Sequence, residues 1–319
     1  LITFATGGLA GQDIVLGTDA STDITGINRA LTLNAGAAGD ITIRGDVGAS
    51  NAALGAITIT NADQVSFGQT VDAASFTQST APASGSTTFE GTVDLSGAFA
   101  FTGQALTLNG AGNRIGGTMD VTNAGVFTTA DAAFLIVTDS FQQLGTGSVT
   151  LGDDVISSTG LVTFTRAVTL DSTDTVSVRS GGGAGDNVAF LSTITSNDNE
   201  SLILDAGTDG NIQVTGAVNL GTGNLEIDDA VNAFFSNQIT AGQFTQFAGS
   251  GLTAVAEVDL SDNFAFTGQD LTVNVWVDSE GSVTVTNAGT FTTWANRYVV
   301  ADQGFTQDGA GTSTIGGNI

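Results

Sequence analysis

Short stretches in which hydrophobic and polar residues alternate recur along the whole chain. They occur at residues 31–33, 41–43, 57–59, 99–101, 106–108, 149–151, 162–164, 176–178 and 283–285. Alternation with a period of two is typical of half-buried β-strands. Asn-Gly, Asp-Gly, Asn-Ala-Gly and Gly-Thr-Gly sequences, which favour turns, separate the stretches. No window has helical spacing, so the pattern predicts an all-β fold.

The sequence also contains a long internal repeat. The segment Val-Asp-Leu-Ser-Gly-Ala-Phe-Ala-Phe-Thr-Gly-Gln at 93–104 returns at 258–269 with two substitutions. Shorter matches pair residues 1–4 with 161–164, 31–36 with 202–207, 76–78 with 244–246, and 121–125 with 285–289. The order of the matches is kept along the chain. We therefore predict two tandem copies, residues 1–160 and residues 161–319, with no linker between them.

The repeat favours a parallel β-solenoid over a β-sandwich, although strand spacing alone does not separate the two folds. In a solenoid each coil buries its apolar face inside and pairs its backbone with the coils above and below. Gly, Asn and Asp suit the tight corners, and the recurring Phe positions predict aromatic stacks inside the coil. Both ends fall in mid-pattern, so we expect similar coils to continue in the same polypeptide or in the next subunit.

Three segments carry a resemblance to known repeats. Residues 31–45, 57–67 and 74–78 resemble the repeats of giant bacterial surface proteins, similar to filamentous-haemagglutinin-like adhesins and autotransporter-associated β-strand repeat passengers. The resemblance implies a right-handed parallel β-helix, secretion, and a role at the cell surface or in a matrix. It implies no catalytic residues, because the repeats of that family have none to transfer.

Composition narrows the function classes. The chain carries 32 acidic and six basic residues, a formal charge of −26, and has neither His nor Cys. Nucleic acid and anionic membranes are disfavoured as partners because both need clustered basic side chains. Disulfides and thiolate metal sites are excluded, and no apolar stretch is long enough for a membrane-spanning helix. A catalytic triad with a Ser, Cys or Thr nucleophile is disfavoured, because the chain has no His to act as its base.

Carboxylate chemistry is the remaining enzymatic alternative. The adjacent pairs are Asp153 with Asp154 and Asp228 with Asp229. Neighbours on a strand point to opposite faces, so neither pair is a ready-made dyad. A pair could still form between coils, but Asp in turns and on solvated faces accounts for these residues. We expect the protein not to be an enzyme.

Calcium is the one cofactor that the sequence suggests. Residues 182–189, Gly-Gly-Ala-Gly-Asp-Asn-Val-Ala, approximate a calcium-binding nonapeptide, with Asp186 and Asn187 as candidate ligands. Asn187 stands where the motif has Asp, and the motif occurs once. The alternative is a flexible inserted loop without a metal.

Trp276, Trp294 and Tyr298 occur only in the second copy. Exposed aromatic side chains of this kind suit a glycan-binding surface. A change in packing or a lateral contact between subunits is the alternative.

These observations predict an extracellular or cell-surface structural protein, a segment of a β-solenoid fibre or stalk that extends head-to-tail. Its expected partners are copies of itself, joined end to end and laterally, with no nucleic acid and no membrane insertion. The alternative is an adhesin module that binds a glycan or a neighbouring surface through loops and aromatic residues of the second copy.

Overall fold

The computed structural model describes residues 1–6, 12–48, 52–79 and 85–319. Within these ranges the chain has no helix, and its strands pair in parallel in a β-solenoid of about 13 turns. The predicted fold class is thereby confirmed. Among the described residues no helix has the length and apolar character needed to cross a membrane.

The chain divides into two compact units, Leu1–Asp154 and Val155–Ile319. The described strands of the first unit are β1 (Ile2–Ala5), β2 (Ile14–Leu16), β3 (Leu31–Asn34), β4 (Ile41–Ile43), β5 (Leu54–Asn61), β6 (Gln64–Phe67), β7 (Val71–Gln78), β8 (Ser86–Phe89), β9 (Val93–Leu95), β10 (Phe99–Gly103), β11 (Ala105–Leu108), β12 (Asn113–Ile115), β13 (Met119–Asn123), β14 (Phe127–Thr129), β15 (Leu135–Val137), β16 (Phe141–Gln143) and β17 (Val149–Leu151).

Three parallel ladders form the faces of the first unit. One ladder runs through β1, β3, β5, β7, β10, β13 and β16. A second runs through β2, β4, β6, β8, β11, β14 and β17. The third joins the first halves of β5 and β7 to β9, β12 and β15. Each coil therefore contributes one segment to every face, and the first coil meets the third face through the isolated bridge between Ile24 and Val47.

The second unit repeats this plan. Its described strands are β18 (Val155–Ser157), β19 (Val162–Phe164), β20 (Val168–Leu170), β21 (Val176–Arg179), β22 (Val188–Phe190), β23 (Ile194–Ser196), β24 (Leu202–Asp205), β25 (Asn211–Val214), β26 (Val218–Asn219), β27 (Leu225–Ile227), β28 (Asn232–Ala241), β29 (Phe244–Gln246), β30 (Leu252–Leu260), β31 (Phe264–Gly268), β32 (Asp270–Ser279), β33 (Val283–Asn287), β34 (Thr290–Thr293), β35 (Tyr298–Ala301), β36 (Phe305–Asp308) and β37 (Thr312–Ile315). The long strands β28, β30 and β32 each continue around a corner and serve two faces.

The core lies inside the coils because alternate residues of each strand point inward. Phe67 and Phe89 stack with ring centroids 4.7 Å apart, and Phe76 and Phe99 stack at 4.9 Å. All four side chains are fully buried. The expected aromatic stacks inside the coil are confirmed.

Glycine at the corners has two different causes. Gly36 has a φ of +78°, which favours glycine for conformational reasons, and its Cβ position is open. Gly147 has no such φ, but a Cβ there would lie 1.5 Å from the carbonyl oxygen of Gly125 on the preceding coil. A positive φ therefore explains only some of the corner glycines, and close stacking of neighbouring corners explains others.

The two sequence copies build the same polar contacts around a buried asparagine. In the first unit Asn123 Nδ2 donates to the carbonyls of Gly125 (2.6 Å) and Ser148 (3.1 Å), and Gln143 Nε2 donates to Asn123 Oδ1 (2.7 Å). In the second unit Asn287 and Gln307 make the corresponding bonds to Gly289, Thr312 and each other, at 2.9, 3.3 and 2.9 Å. The repeated sequence thus specifies repeated tertiary contacts.

Candidate functional site

The structure brings three carboxylates together at one corner of the second unit. Asp171 directly follows β20, and Asp198 and Glu200 lie between β23 and β24. Because β20 pairs with β23 in the next coil, the two corners are neighbours. Each carboxylate offers an oxygen that lies within 4.8 Å of the other two. Asp171 and Asp198 are exposed, whereas Glu200 is buried.

Glu200 is a buried carboxylate whose two oxygens differ in their hydrogen bonding. Its Oε2 accepts hydrogen bonds from the Ser196 hydroxyl and from the amide of Asp198 at 3.0 Å. Burial raises the pKa of Glu200, but these bonds, together with backbone amides including that of Ser172, outweigh it and hold the pKa below its ordinary value. Its Oε1 is buried and has no hydrogen-bond partner.

A cleft of about 320 Å³ adjoins this carboxylate cluster. Asp198 and Glu200 line it, together with the polar residues Ser172, Thr173 and Asp174. Carboxylate, hydroxyl and carbonyl oxygens are the ligands that hard divalent cations prefer. The arrangement is therefore suited chemically to holding a cation rather than an apolar ligand.

Asp186 and Asn187 lie elsewhere, and their polar atoms serve the fold. Asp186 Oδ2 accepts a hydrogen bond from the Gly183 amide at 3.0 Å. Asn187 Oδ1 accepts from the amide and side chain of Asn211, at 2.9 and 3.1 Å, and Asn211 Oδ1 accepts from Asn232 at 2.8 Å. Asn187 thus begins an asparagine ladder along successive coils. Calcium binding at this loop stays a prediction.

The aromatic residues of the second copy form one pair and one separate side chain. Trp276 and Tyr298 are register partners on β32 and β35, and their rings stack at 6.2 Å and 7°. Each ring therefore covers one face of the other. Trp294 follows β34 and is 58% exposed. Glycan binding by these residues stays a prediction.

The same positions of the first copy show a simpler packing. Gly112 and Phe134 correspond to Trp276 and Tyr298. A Cβ on Gly112 would lie 3.0 Å from the Phe134 ring, so a single aromatic covers a glycine there. The second copy replaces that contact with a stacked pair, which supports the packing interpretation of these two rings.

Asp228 forms a carboxyl pair with Glu226, not with Asp229. Burial raises the pKa of Glu226, as do its hydrogen bond to Asp228 and the charge of Asp228, while Arg179 opposes the rise. Arg179 also contacts Asp228 at 3.3 Å and Asp205 at 3.8 Å. The guanidinium thus neutralises acids from two neighbouring coils.

The adjacent residues Asp153 and Asp154 are joined by a local hydrogen bond. Asp153 Oδ1 accepts a hydrogen bond from the backbone amide of Asp154 at 2.7 Å. This is a local side-chain-to-backbone bond of the kind that Asp makes in turns.

Sequence reasoning missed the carboxylates that the structure gathers. The run Ser-Asn-Asp-Asn-Glu at 196–200 is the only local signal for Glu200, and it reads as an ordinary polar turn. Asp171 is remote in sequence and becomes a neighbour through the stacking of coils. Knowledge of the coil length would have been needed to bring the two turns together.

Comparisons with known proteins found no matching protein family, no matching curated protein and no matching solved structure. The class of protein is therefore the one that the fold defines, a parallel β-solenoid repeat protein.

Proposed function

We propose that this chain is a structural segment of an extracellular β-solenoid fibre or surface stalk, without enzymatic activity. The observation that carries the proposal is the duplication of the hydrogen bonds around a buried asparagine. Asn123 with Gln143 and Asn287 with Gln307 make matching hydrogen bonds in the two copies. A rod requires this kind of repetition, whereas an active site requires one position to differ from the rest.

The way the coils pair supports extension. Every interior coil uses the same parallel backbone bonds on both of its sides, so a further coil can be added without a new type of contact. Unpaired strand edges act as templates for pairing, and a head-to-tail contact that does not close generates a filament. We accordingly propose other copies of this chain, or further coils of the same polypeptide, as its main partners. Lateral contacts between rods are part of the same proposal.

The surface chemistry fits an inert rod outside the cell. A net charge of −26 favours solubility. The chain lacks Cys, so stability in an oxidising compartment rests on burial and backbone hydrogen bonds instead of disulfides. Neither property requires a ligand.

The second candidate is an adhesin module that binds a glycan. The observation in its favour is the exposure of aromatic side chains on the second unit, 58% for Trp294 and 42% for Tyr298. Stacking with Trp276 covers one face of the Tyr298 ring, so Trp294 is the better candidate for contact with a glycan. A glycan array with the Trp294→Ala variant as control tests this alternative.

Electron microscopy of the native assembly separates the two proposals. We expect thin, unbranched filaments or rods whose length grows with protein concentration if subunits stack. Discrete particles of fixed size at high concentration, together with saturable glycan binding that Trp294→Ala abolishes, would favour the adhesin. Turnover of a polysaccharide by the pure protein, lost in Glu226→Gln or Asp228→Asn, would overturn the non-enzymatic assignment.

A further inference from the structure

We infer that Asp171, Asp198 and Glu200 form a specific Ca²⁺ site that joins two neighbouring coils of the second unit. This site is distinct from the loop at residues 181–187 and does not depend on the proposed structural role. Its ligand class is a hard divalent cation, because the three donors are carboxylates and the chain has no His or Cys.

The spacing of the donor oxygens suits calcium. Oxygen ligands lie about 2.4 Å from Ca²⁺, so two ligands on opposite sides of the ion are about 4.8 Å apart. The three carboxylates each offer an oxygen within 4.8 Å of the others. One ion between them can therefore contact all three. Mg²⁺ demands regular octahedral geometry and usually binds through one or two carboxylates with several waters, so a set of three protein carboxylates favours Ca²⁺.

Glu200 provides the independent evidence for a ligand. It is 6% exposed, and its Oε1 is buried without a hydrogen-bond partner. The Ser196 hydroxyl and the Asp198 amide both bond to Oε2 and leave Oε1 without a donor. A buried carboxylate oxygen without a partner is costly unless a cation or a hydrogen-bond donor meets it. A cation held by Asp171 and Asp198 supplies that partner.

The adjoining cleft offers further oxygen ligands for the ion. Calcium takes six to eight oxygens, more than three monodentate carboxylates provide. The cleft is lined by the hydroxyl residues Ser172 and Thr173 and by Asp174, and its volume of about 320 Å³ also admits water. Bidentate carboxylates, hydroxyls, backbone carbonyls and water can complete the shell.

At this corner the two coils are joined by strand pairing and by a side-chain bond in which Asn197 Nδ2 donates to Asp171 Oδ1 at 3.0 Å, and the site adds a further link. Asp171 follows β20, and Asp198 follows β23, its ladder neighbour. An ion shared by the two corners binds the folded chain much better than the unfolded one, because unfolding separates the ligands. Calcium should therefore raise the stability of the second unit through ligand linkage.

The first copy does not repeat the site. Aligning residues 31–36 with 202–207 places Arg29 at the position of Glu200. A guanidinium there disfavours a cation. We therefore expect one ion per chain at this type of corner, not two.

Isothermal titration of the full chain with CaCl₂, after removal of metals with a chelator, tests the proposal. We expect one saturable site per chain that prefers Ca²⁺ over Mg²⁺, and a Tm that rises with calcium. Glu200→Gln and Asp171→Asn should each weaken binding by about tenfold or more, since each removes a charged ligand. Asp186→Asn is the matched control and should bind calcium like the parent chain.

Thermal melts without metal establish that each variant folds. If Glu200→Gln fails to fold, the exposed Asp171→Asn decides the question. The proposal is overturned if no saturable calcium binding occurs at millimolar concentration, or if folded Asp171→Asn binds as well as the parent chain. Loss of binding in Asp186→Asn alone would also overturn it and would assign calcium to the loop at residues 181–187.

Discussion

Replacement of Asn123 by aspartate tests whether buried amide bonds hold neighbouring coils together. Asn123 is fully buried, and its Nδ2 donates to the carbonyl oxygens of Gly125 and Ser148. Asn123→Asp keeps nearly the same size and shape. It exchanges the donor group for an oxygen, so that a carboxylate faces two carbonyl oxygens.

The magnitude follows from the bonds that change. Two donated hydrogen bonds are lost, at about 0.5–1.5 kcal/mol each, and two acceptors are left without this donor. Burial of the new charge adds to the cost. The bond from Gln143 Nε2, 2.7 Å from Asn123 Oδ1, remains and becomes charge-assisted, which offsets part of the loss. We expect Asn123→Asp to lower the free energy of unfolding by about 2–4 kcal/mol at neutral pH.

The pH dependence supplies a second, independent readout. Burial beside carbonyl oxygens raises the pKa of the introduced carboxyl above that of the unfolded chain. Its protonated form is then favoured in the folded state, so the variant regains stability as the pH falls towards about 4 and loses it again as the pH rises. The protonated group can donate one hydrogen bond, and recovery should accordingly be partial.

Urea unfolding at about pH 7 and about pH 4, followed by circular dichroism, measures both effects. Asn296→Asp is the control, because Asn296 is exposed and has a positive φ of 62° that Asp also tolerates. The reasoning is refuted if Asn123→Asp unfolds within about 0.5 kcal/mol of the parent chain at neutral pH. It is also refuted if Asn123→Asp and Asn296→Asp show the same pH profile.

Three further predictions concern the stability of the coils. Gly147→Ala should destabilise the first unit by about 3 kcal/mol or more in urea melts, because the new Cβ meets a backbone carbonyl; wild-type stability would contradict this. Phe76→Ala should cost about 3–5 kcal/mol by removing a fully buried ring, whereas Phe247→Ala, at a residue 56% exposed, should change stability by less than about 0.5 kcal/mol. Glu226→Gln should stabilise the chain at neutral pH, because the pKa of Glu226 is raised in the folded state. This gain should vanish below the ordinary pKa of 4.5, where the parent Glu226 is protonated in both the folded and the unfolded chain. A gain in stability that is independent of pH would contradict the raised pKa.

The fold was predictable because its signals are local and repeated. Alternating triplets such as residues 149–151 fix which side chains face inward, and β17 has that pattern of burial. The strands of the structure are longer than the alternating stretches of the sequence where the chain passes a corner without a sharp turn. Residues 270–279, for example, form the single long strand β32, which serves two faces. Composition gives no sign of such a corner, since a continuing strand and a turn can use similar residues.

The candidate sites were less predictable because they depend on contacts between coils. Asp186 and Asn187 were singled out by a local motif, and their side chains are used in hydrogen bonds within the fold. Asp171 and Glu200 belong to different coils, and their proximity depends on a coil of about 26 residues at this point, as the pairing of Val168 with Ile194 shows. Coil length varies along the chain, from 29 residues between Ile2 and Leu31 to 19 between Phe264 and Val283, so the register could not be extrapolated from one part of the sequence.

The differences between the two copies indicate where function can differ from scaffold. Positions that keep their identity include buried ones, as at Asn123 and Asn287, as well as exposed ones such as Asp94 and Asp259. Positions that change include Arg29, replaced by Glu200, and Ala130, replaced by the exposed Trp294. A rod that is uniform inside can carry different chemistry on each coil, because outward residues contribute little to the stacking of the core. A cation site on one copy is thus compatible with a structural role for the whole chain.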